Sequence, residues 1–316
     1  MELHAAQSRT TPLLLHANCL NINPGESPPN CQHPRTRNNK MADIAASDLP
    51  DVLEKASLSA PSPADVDFNA IRSCMDEFGF ARVSGLYSTQ EIRDLLDRVR
   101  SRFNPQLDRK HDAKDAEALR NPLQKVVVGG ITGINSCARL IRTFFLPLNG
   151  PDLFGSHEIF KRLARFRNLL CGEPENFAVD SDEKGLWTAS RIHHYVRGGG
   201  FMAEHTDFGT AVAAAEAGFD RFAQVILIIS QKGRDFHSGG AFIRRGEDRF
   251  FYEDGCQSGD VVIYDGRIRH GVADIDGGQP FDFNSIDGRL VGFATLYKRF
   301  TNTDSQYKEL LKGYTG

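Results

Sequence analysis

The sequence predicts an α+β chain with a mainly β core: a double-stranded β-helix, or jelly roll, with N-terminal helices packed on its outside. Two observations predict it. After Asp182 about eight short segments rich in β-branched and aromatic residues follow one another, punctuated by Gly and Asp, which is the texture of a two-sheet antiparallel fold. Before that point the apolar residues fall instead at helical spacing, and no internal repeat is visible.

In chain order, Phe68, Ile71, Cys74, Met75 and Phe78 form an apolar helical stripe, and Phe80–Gly85 reads as a short strand. Ser88 and Glu91 make a capping box, and Ile92, Leu95, Leu96, Val99 and Phe103 fall on one face of the helix that follows. Residues 104–155, with a charged run from Asp108 to Glu117, read as loops and short elements near a site entrance. A further helix starts near Ser156, buries Ile159, Phe160, Leu163, Phe166 and Leu170, and ends at Gly172. The expected strands are then Leu186–Tyr195, Phe201–Asp207, Ala223–Ser230, Gly240–Arg244, Asp248–Tyr252, Asp260–Tyr264, His270–Ala273 and Leu290–Tyr297.

The chain has 316 residues, 40% hydrophobic and 25% charged, enough for a sizeable core. Its organisation is expected to be a disordered extension over 1–45 and one domain over 46–316, with a helical half (64–172) and a strand-rich half (183–300). The extension is rich in Asn, Pro, Ser, Thr, Arg and His and poor in apolar clusters. Its Arg9, Arg35 and Arg37 with few acidic residues resemble an organelle transit peptide, but an amphipathic pattern is lacking. Met41, with ordinary sequence after it, is read as a candidate start of translation. A net charge of -3 argues against nucleic-acid or membrane-surface partners. No apolar run approaches the ~20 residues that span a bilayer. Six cysteines lie scattered without a Cys-x-x-Cys pair, which points to a reducing, cytoplasmic setting rather than a disulfide framework.

The chemistry concentrates in Ala203-Glu204-His205-Thr206-Asp207-Phe208-Gly209, followed 63 residues after Asp207 by His270. Side chains at i and i+2 of a strand share a face, so His205 and Asp207 can grip one ion together. Two imidazoles and one carboxylate form the ligand set of a mononuclear non-haem iron(II) site with open positions. Rival histidines fit less well: His193 and His194 are adjacent and diverge, His237 reads as a loop residue, and His111 and His157 have no carboxylate in strand register.

From Ser190 to Tyr297 the order of features resembles the iron(II)- and 2-oxoglutarate-dependent dioxygenases, in particular their prolyl-hydroxylase-like and phytanoyl-hydroxylase-like branches. The matching features are the Tyr195 strand, Gly198-Gly199-Gly200, His205-x-Asp207, Arg221 before the apolar strand, Gly239-Gly240-Ala241-Phe242, Gly259 to Tyr264, His270 and Gly288-Arg289-Leu290. The resemblance implies Fe(II) held by His205, Asp207 and His270, with 2-oxoglutarate and O2 as cosubstrates and ascorbate as an accessory reductant. It implies that Arg289 pairs with the distal carboxylate of 2-oxoglutarate, a task that suits a planar guanidinium, and that the Tyr195 hydroxyl reaches the same group. Arg289 lies 19 residues after His270, where the family's gap is roughly ten. Asp276–Asp287 therefore reads as an inserted loop, with Arg267, Arg269 and Lys298 as rivals for the role. Tyr195 as a core residue also stays open. If the Tyr195 strand is regular, His193 and Arg191 share its face and approach cosubstrate or substrate.

The resemblance implies hydroxylation, or a related oxidation, of a C–H bond in a small-molecule substrate, with release of succinate and carbon dioxide. An intact Asp207 favours hydroxylation over halogenation. Two alternatives use the same ligands: a non-catalytic, cupin-like metal-binding jelly roll, and a zinc-dependent hydrolase. Substrate identity and oligomeric state do not follow from the sequence.

Overall fold

In the computed structural model the described residues are 49–110, 123–127, 138–180, 183, 185–207 and 223–298. The expected extension over 1–45, the stretch 209–222 and Arg221 lie outside them. Four α-helices and fourteen strands are seen among the described residues: α1 (Leu49–Lys55), β1 (Ser57–Ser59), α2 (Phe68–Phe78), β2 (Phe80–Ser84), α3 (Thr89–Arg102), β3 (Arg109–Lys110), β4 (Leu123–Val127), β5 (Ala138–Arg139), β6 (Ile141–Phe145) and α4 (His157–Leu170) precede eight later strands. Those are β7 (Leu186–Val196), β8 (Gly200–His205), β9 (Ala223–Ile228), β10 (Gly240–Arg245), β11 (Asp248–Phe250), β12 (Val261–Asp265), β13 (His270–Ile275) and β14 (Gly288–Lys298). The fold is thus mainly β with few helices, and each expected strand after Asp182 is present within a few residues of its expected limits.

The helices start and stop for local reasons. Asp67 caps α2 by accepting from the Asn69 and Ala70 amides, both at 3.0 Å, and Gly79 ends it in the left-handed region at φ 84°. Ser88 accepts from the Glu91 amide at 3.1 Å, but the expected capping box is only half formed. The Glu91 carboxylate instead takes both terminal nitrogens of Arg162 at 3.0 and 3.2 Å, which ties α3 to α4. At α4 the capping side chain is Asp152, accepting from the Ser156 and His157 amides at 2.7 and 3.1 Å, rather than Ser156 itself.

The strands form two sheets. The larger runs in the order β1-β2-β12-β9-β14-β7-β6-β4-β3, the smaller β11-β10-β13-β8-β5. From β7 onward the chain passes back and forth between the sheets, apart from the β10–β11 hairpin within the smaller one, placing β12-β9-β14-β7 side by side in one and β11-β10-β13-β8 in the other.

Strand alternation then divides the core in two. Ile192, Val225, Leu227, Ile263, Leu290 and Ala294 pack on the helix side with Phe160 and Leu163 of α4. Their neighbours Tyr195, Ile226, Ile228, Val262, Val291 and Phe293 face the smaller sheet, with Ala241, Ile243, Val272 and Ile275. At Gly292 an added Cβ would lie 3.0 Å from the Phe160 ring, so a side chain there would need that ring of α4 to give way by a few tenths of an ångström.

Segment 276–287 is the expected loop between β13 and β14, and it is pinned rather than loose. Arg142, fully buried, donates to Asp108 at 2.8 and 2.7 Å, to His194 Nδ1 at 3.0 Å and to the Phe283 carbonyl at 2.8 Å. Arginine can only donate, so His194 Nδ1 is the acceptor and its Nε2–H donates to the Asp287 carbonyl at 2.9 Å. Cys74, Cys171 and Cys256 carry no disulfide. Among the described residues no helix is long and apolar enough to cross a membrane.

Candidate metal centre

Strand pairing brings His205 and His270 together. His205 ends β8, His270 begins β13, and the two are direct cross-strand partners with ring centroids 4.4 Å apart. Asp207, two residues beyond His205, completes a cluster whose candidate ligand atoms all lie within 4.8 Å of one another. The three residues predicted from sequence therefore converge, at the end of the sheets where β8 finishes and β13 starts.

Their orientation is fixed from behind. His205 Nδ1 donates to the Ala203 carbonyl and His270 Nδ1 to the Ile268 carbonyl, each at 2.8 Å. That leaves the two Nε2 atoms facing the Asp207 carboxylate, at 3.6 Å from Oδ1 and 3.4 Å from Oδ2 respectively. Pinning one ring nitrogen to the backbone selects the tautomer whose other nitrogen offers a lone pair. Asp207 is itself held: Gln224 Nε2 donates to Oδ2 at 2.7 Å, and Thr295 Oγ1 donates to Gln224 Oε1 at 3.1 Å. The Thr295 donor fixes which way the Gln224 amide faces.

The electrostatics suit cation binding. Burial pushes the Asp207 carboxyl up, but the hydrogen bond and charge of His270, together with the Gln224 amide, outweigh it and bring it down to about 2. Burial, then the charge of His270, lowers His205 from its ordinary value. An anionic carboxylate and a neutral imidazole are the forms that ligate metals.

Arg289 and Tyr195 are brought together at the other end of the facing surface. They are cross-strand partners on β14 and β7, and the guanidinium carbon lies 4.8 Å from the Tyr195 ring centre. Arg289 has a partner not expected from sequence: Glu253. Nε donates to both Glu253 oxygens at 3.1 and 2.9 Å and a terminal nitrogen bonds Oε1, while Glu253 Oε2 also accepts from the Ala241 amide at 3.0 Å. The remaining terminal nitrogen of Arg289 is buried without a hydrogen-bond partner. Burial lowers the Arg289 pKa, and the charge of Glu253 more than reverses this, so the net direction is upward.

The rivals lie elsewhere. Arg267 pairs with Asp265, and Arg269, with its side chain 67% exposed, pairs with Glu204. Lys298 ends β14, and its side chain falls outside the described residues. His193 and His194 diverge as expected, one toward Tyr195 and Phe293, the other toward Arg142. Between the metal cluster and Arg289 stand two tyrosines, Tyr264 with its ring centre 4.7 Å from that of His270 and Tyr252 at 5.7 Å from Tyr264. Gln224, Glu253 and Thr295 escaped sequence reasoning; the one signal available was a glutamine inside an otherwise apolar strand.

No protein-family model and no curated protein matches the chain. Solved structures do. An oxidoreductase of the 2OG-Fe(II) oxygenase family from Burkholderia pseudomallei is 13% identical, with 78% of this chain and 96% of that one covered at a TM-score of 0.43. A Pseudomonas putida prolyl-4-hydroxylase is 12% identical, with 74% and 100% covered at a TM-score of 0.43. A prolyl hydroxylase from Trichoplax adhaerens, in complex with a hypoxia-inducible-factor peptide, is 11% identical, with 81% and 94% covered at a TM-score of 0.44. These matched structures are all members of the 2OG-Fe(II) oxygenase family.

Proposed function

We propose that this protein is a non-haem Fe(II)- and 2-oxoglutarate-dependent oxygenase. In this reading it hydroxylates, or otherwise oxidises, a C–H bond of a small metabolite and releases succinate and carbon dioxide. The observation that carries the reading is the aim of His205, Asp207 and His270: two Nε2 atoms and one carboxylate directed at a common point, with both Nδ1 atoms tied to backbone carbonyls. That donor set fits Fe(II) with positions left open. The division of β7–β14 into four strands in each of two sheets supports reading the domain as a double-stranded β-helix.

The residues present also fit a keto acid. The buried, unpartnered terminal nitrogen of Arg289 is one donor for a carboxylate, and the Tyr195 ring lies beside it. His205, Asp207 and His270 would hold the metal, and Arg289 with Tyr195 the distal carboxylate of 2-oxoglutarate. The loaded metal, keto acid and O2 supply the oxidising power to break a C–H bond. The chain's own task is placement. Gln224 and Thr295 keep Asp207 turned toward the two imidazoles, the backbone carbonyls hold those rings with Nε2 toward Asp207, and Ile226, Val262 and Phe293 keep bulk water from the space between the sheets.

The test is turnover of the keto acid. Purified protein given Fe(II), ascorbate and 2-oxoglutarate should form succinate slowly without added substrate, and His205→Ala should stop it. Absence of turnover, together with no binding of 2-oxoglutarate to the metal-loaded protein, would overturn the reading. The Glu253–Arg289 pair favours a second one, a metal-binding β-fold that takes no 2-oxoglutarate, since Glu253 already supplies Arg289 with a carboxylate. Metal binding without keto-acid binding is the result that selects it.

A further inference from the structure

Two guanidinium groups, on β7 and β14, face the space between the sheets, and they are compensated differently. Arg289 has Glu253. Arg191, on β7, is only 7% exposed and has no carboxylate partner among the described residues. Its Nε donates to His193 Nε2 at 3.0 Å and one terminal nitrogen to the Ala189 carbonyl at 3.3 Å. Accepting from Arg191 leaves His193 Nε2 unprotonated, so His193 orients the guanidinium as a neutral ring. The guanidinium carbon is flanked by the Phe293 and Tyr297 rings, at 4.9 and 5.2 Å.

Arginine keeps its charge at neutral pH in any protein setting. A buried charge without a counterion is costly, and two aromatic faces offset only part of that cost. Among the described residues no carboxylate meets this charge, which leaves a place for an anion from outside.

Register places this cation at the metal end. Arg191 is the cross-strand partner of Phe293 on β14, which in turn pairs with Ile226 on β9. Lying against both Phe293 and Tyr297, the guanidinium stands level with Thr295, whose hydroxyl holds the Gln224 that holds Asp207. Arg289 is at the opposite end of β14, four residues from Phe293, or roughly 13 Å of strand. The cosubstrate site of the reading above is at Arg289, which leaves the metal end of the space between the sheets, where Arg191 stands, for a substrate.

We propose that Arg191 receives a carboxylate group of the substrate, and that the substrate is therefore a small organic acid. The proposal rests on the oxygenase reading for the metal and the keto acid. It adds the substrate's chemical class and the residue that selects it.

The experiment uses the full chain loaded with Co(II), so that no turnover occurs. Co(II) uptake and 2-oxoglutarate binding are measured first by titration; their failure in the wild type overturns the oxygenase reading and, separately, leaves the carboxylate comparison to be made on the protein without keto acid. Straight-chain and aryl carboxylic acids of four to ten carbons, each paired with its primary amide, are then scored by thermal shift and calorimetry. Acids should bind and amides should not. Arg191→Gln should weaken acid binding by about tenfold or more, the scale of a lost charged hydrogen bond, with 2-oxoglutarate affinity unchanged. Arg191→Lys, which keeps the charge, should restore part of it. Arg289→Gln should show the reverse pattern. Equal binding of acids and amides, no acid binding at all, or an Arg191→Gln protein that loses 2-oxoglutarate and not the acid would each overturn the proposal.

Discussion

Glu253 and Arg289 form a buried ion pair that joins the two sheets, because the same carboxylate also accepts the Ala241 amide on β10 while Arg289 sits at the start of β14. The pair has two opposed effects on an incoming carboxylate. It holds the guanidinium rigidly with one terminal nitrogen unpartnered, and it cancels much of the charge that would attract an anion.

Glu253→Gln separates these effects. Removing one partner from a buried pair leaves an uncompensated charge, a loss of about 3–5 kcal/mol when the partner is deleted and less when an amide can still accept a hydrogen bond. The variant should melt at lower temperature than the wild type. It should regain more of that loss on adding 2-oxoglutarate with Co(II), since the ligand then supplies the missing negative charge. If 2-oxoglutarate instead stops binding, orientation of Arg289 outweighs its charge.

The Gln224–Thr295 relay gives a prediction about the metal alone. Gln224→Leu removes the donor to Asp207 Oδ2, and loss of a group that orients a ligand typically lowers metal affinity 10- to 100-fold. Thr295→Val, which frees the Gln224 amide to turn, should act in the same direction and less strongly. Co(II) titration by visible absorbance reads both, and unchanged affinity in Gln224→Leu would remove the relay from the account.

How much of this arrangement was legible beforehand depended on how local the causes are. The strands after Asp182 were readable because β-branched runs and Gly or Asp breaks are local signals, and the triad because its residue types and the i, i+2 spacing are themselves the chemistry. Strand β6 (Ile-Arg-Thr-Phe-Phe) was read as part of a loop region, since a strand covered on both faces shows no alternation. The Glu253–Arg289 and Gln224–Asp207 bonds join residues 36 and 17 apart, and only the completed sheets put them in contact. Glu91 was assigned to its own helix cap, where a tertiary partner, Arg162, competes better for its charge.

His194 makes stability depend on pH. Full burial, then the charge of Arg142, pushes the imidazole down to about 3 from an ordinary value of 6.5. Between those values the unfolded chain binds a proton that the folded chain does not, so stability is complete above about pH 6.5 and declines as pH falls toward 3. The loop 276–287 should open first, because a protonated His194 can no longer accept from Arg142. Urea melts at pH 7.5, 5.5 and 4.5 should show the decline, and His194→Gln should flatten it. A His194→Gln slope equal to the wild type would assign the pH dependence to other groups.

Gly288 sets where Arg289 stands. Its φ is 127°, and an added Cβ would lie 2.2 Å from the Tyr195 carbonyl oxygen and 2.7 Å from the Arg197 amide, both backbone atoms that cannot swing aside. Gly288→Ala therefore has to part β14 from β7 at its first residue, against a conformation that L residues avoid, at a cost of about 1–3 kcal/mol or more. The displacement falls on the Arg289–Tyr195 pair and not on the metal cluster, whose residues come from β8, β13 and the segment after β8. Co(II) affinity should stay near the wild-type value while 2-oxoglutarate binding falls by about tenfold or more. If both fall together, the two ends of the space between the sheets are mechanically coupled and the register of β14 governs the metal site as well.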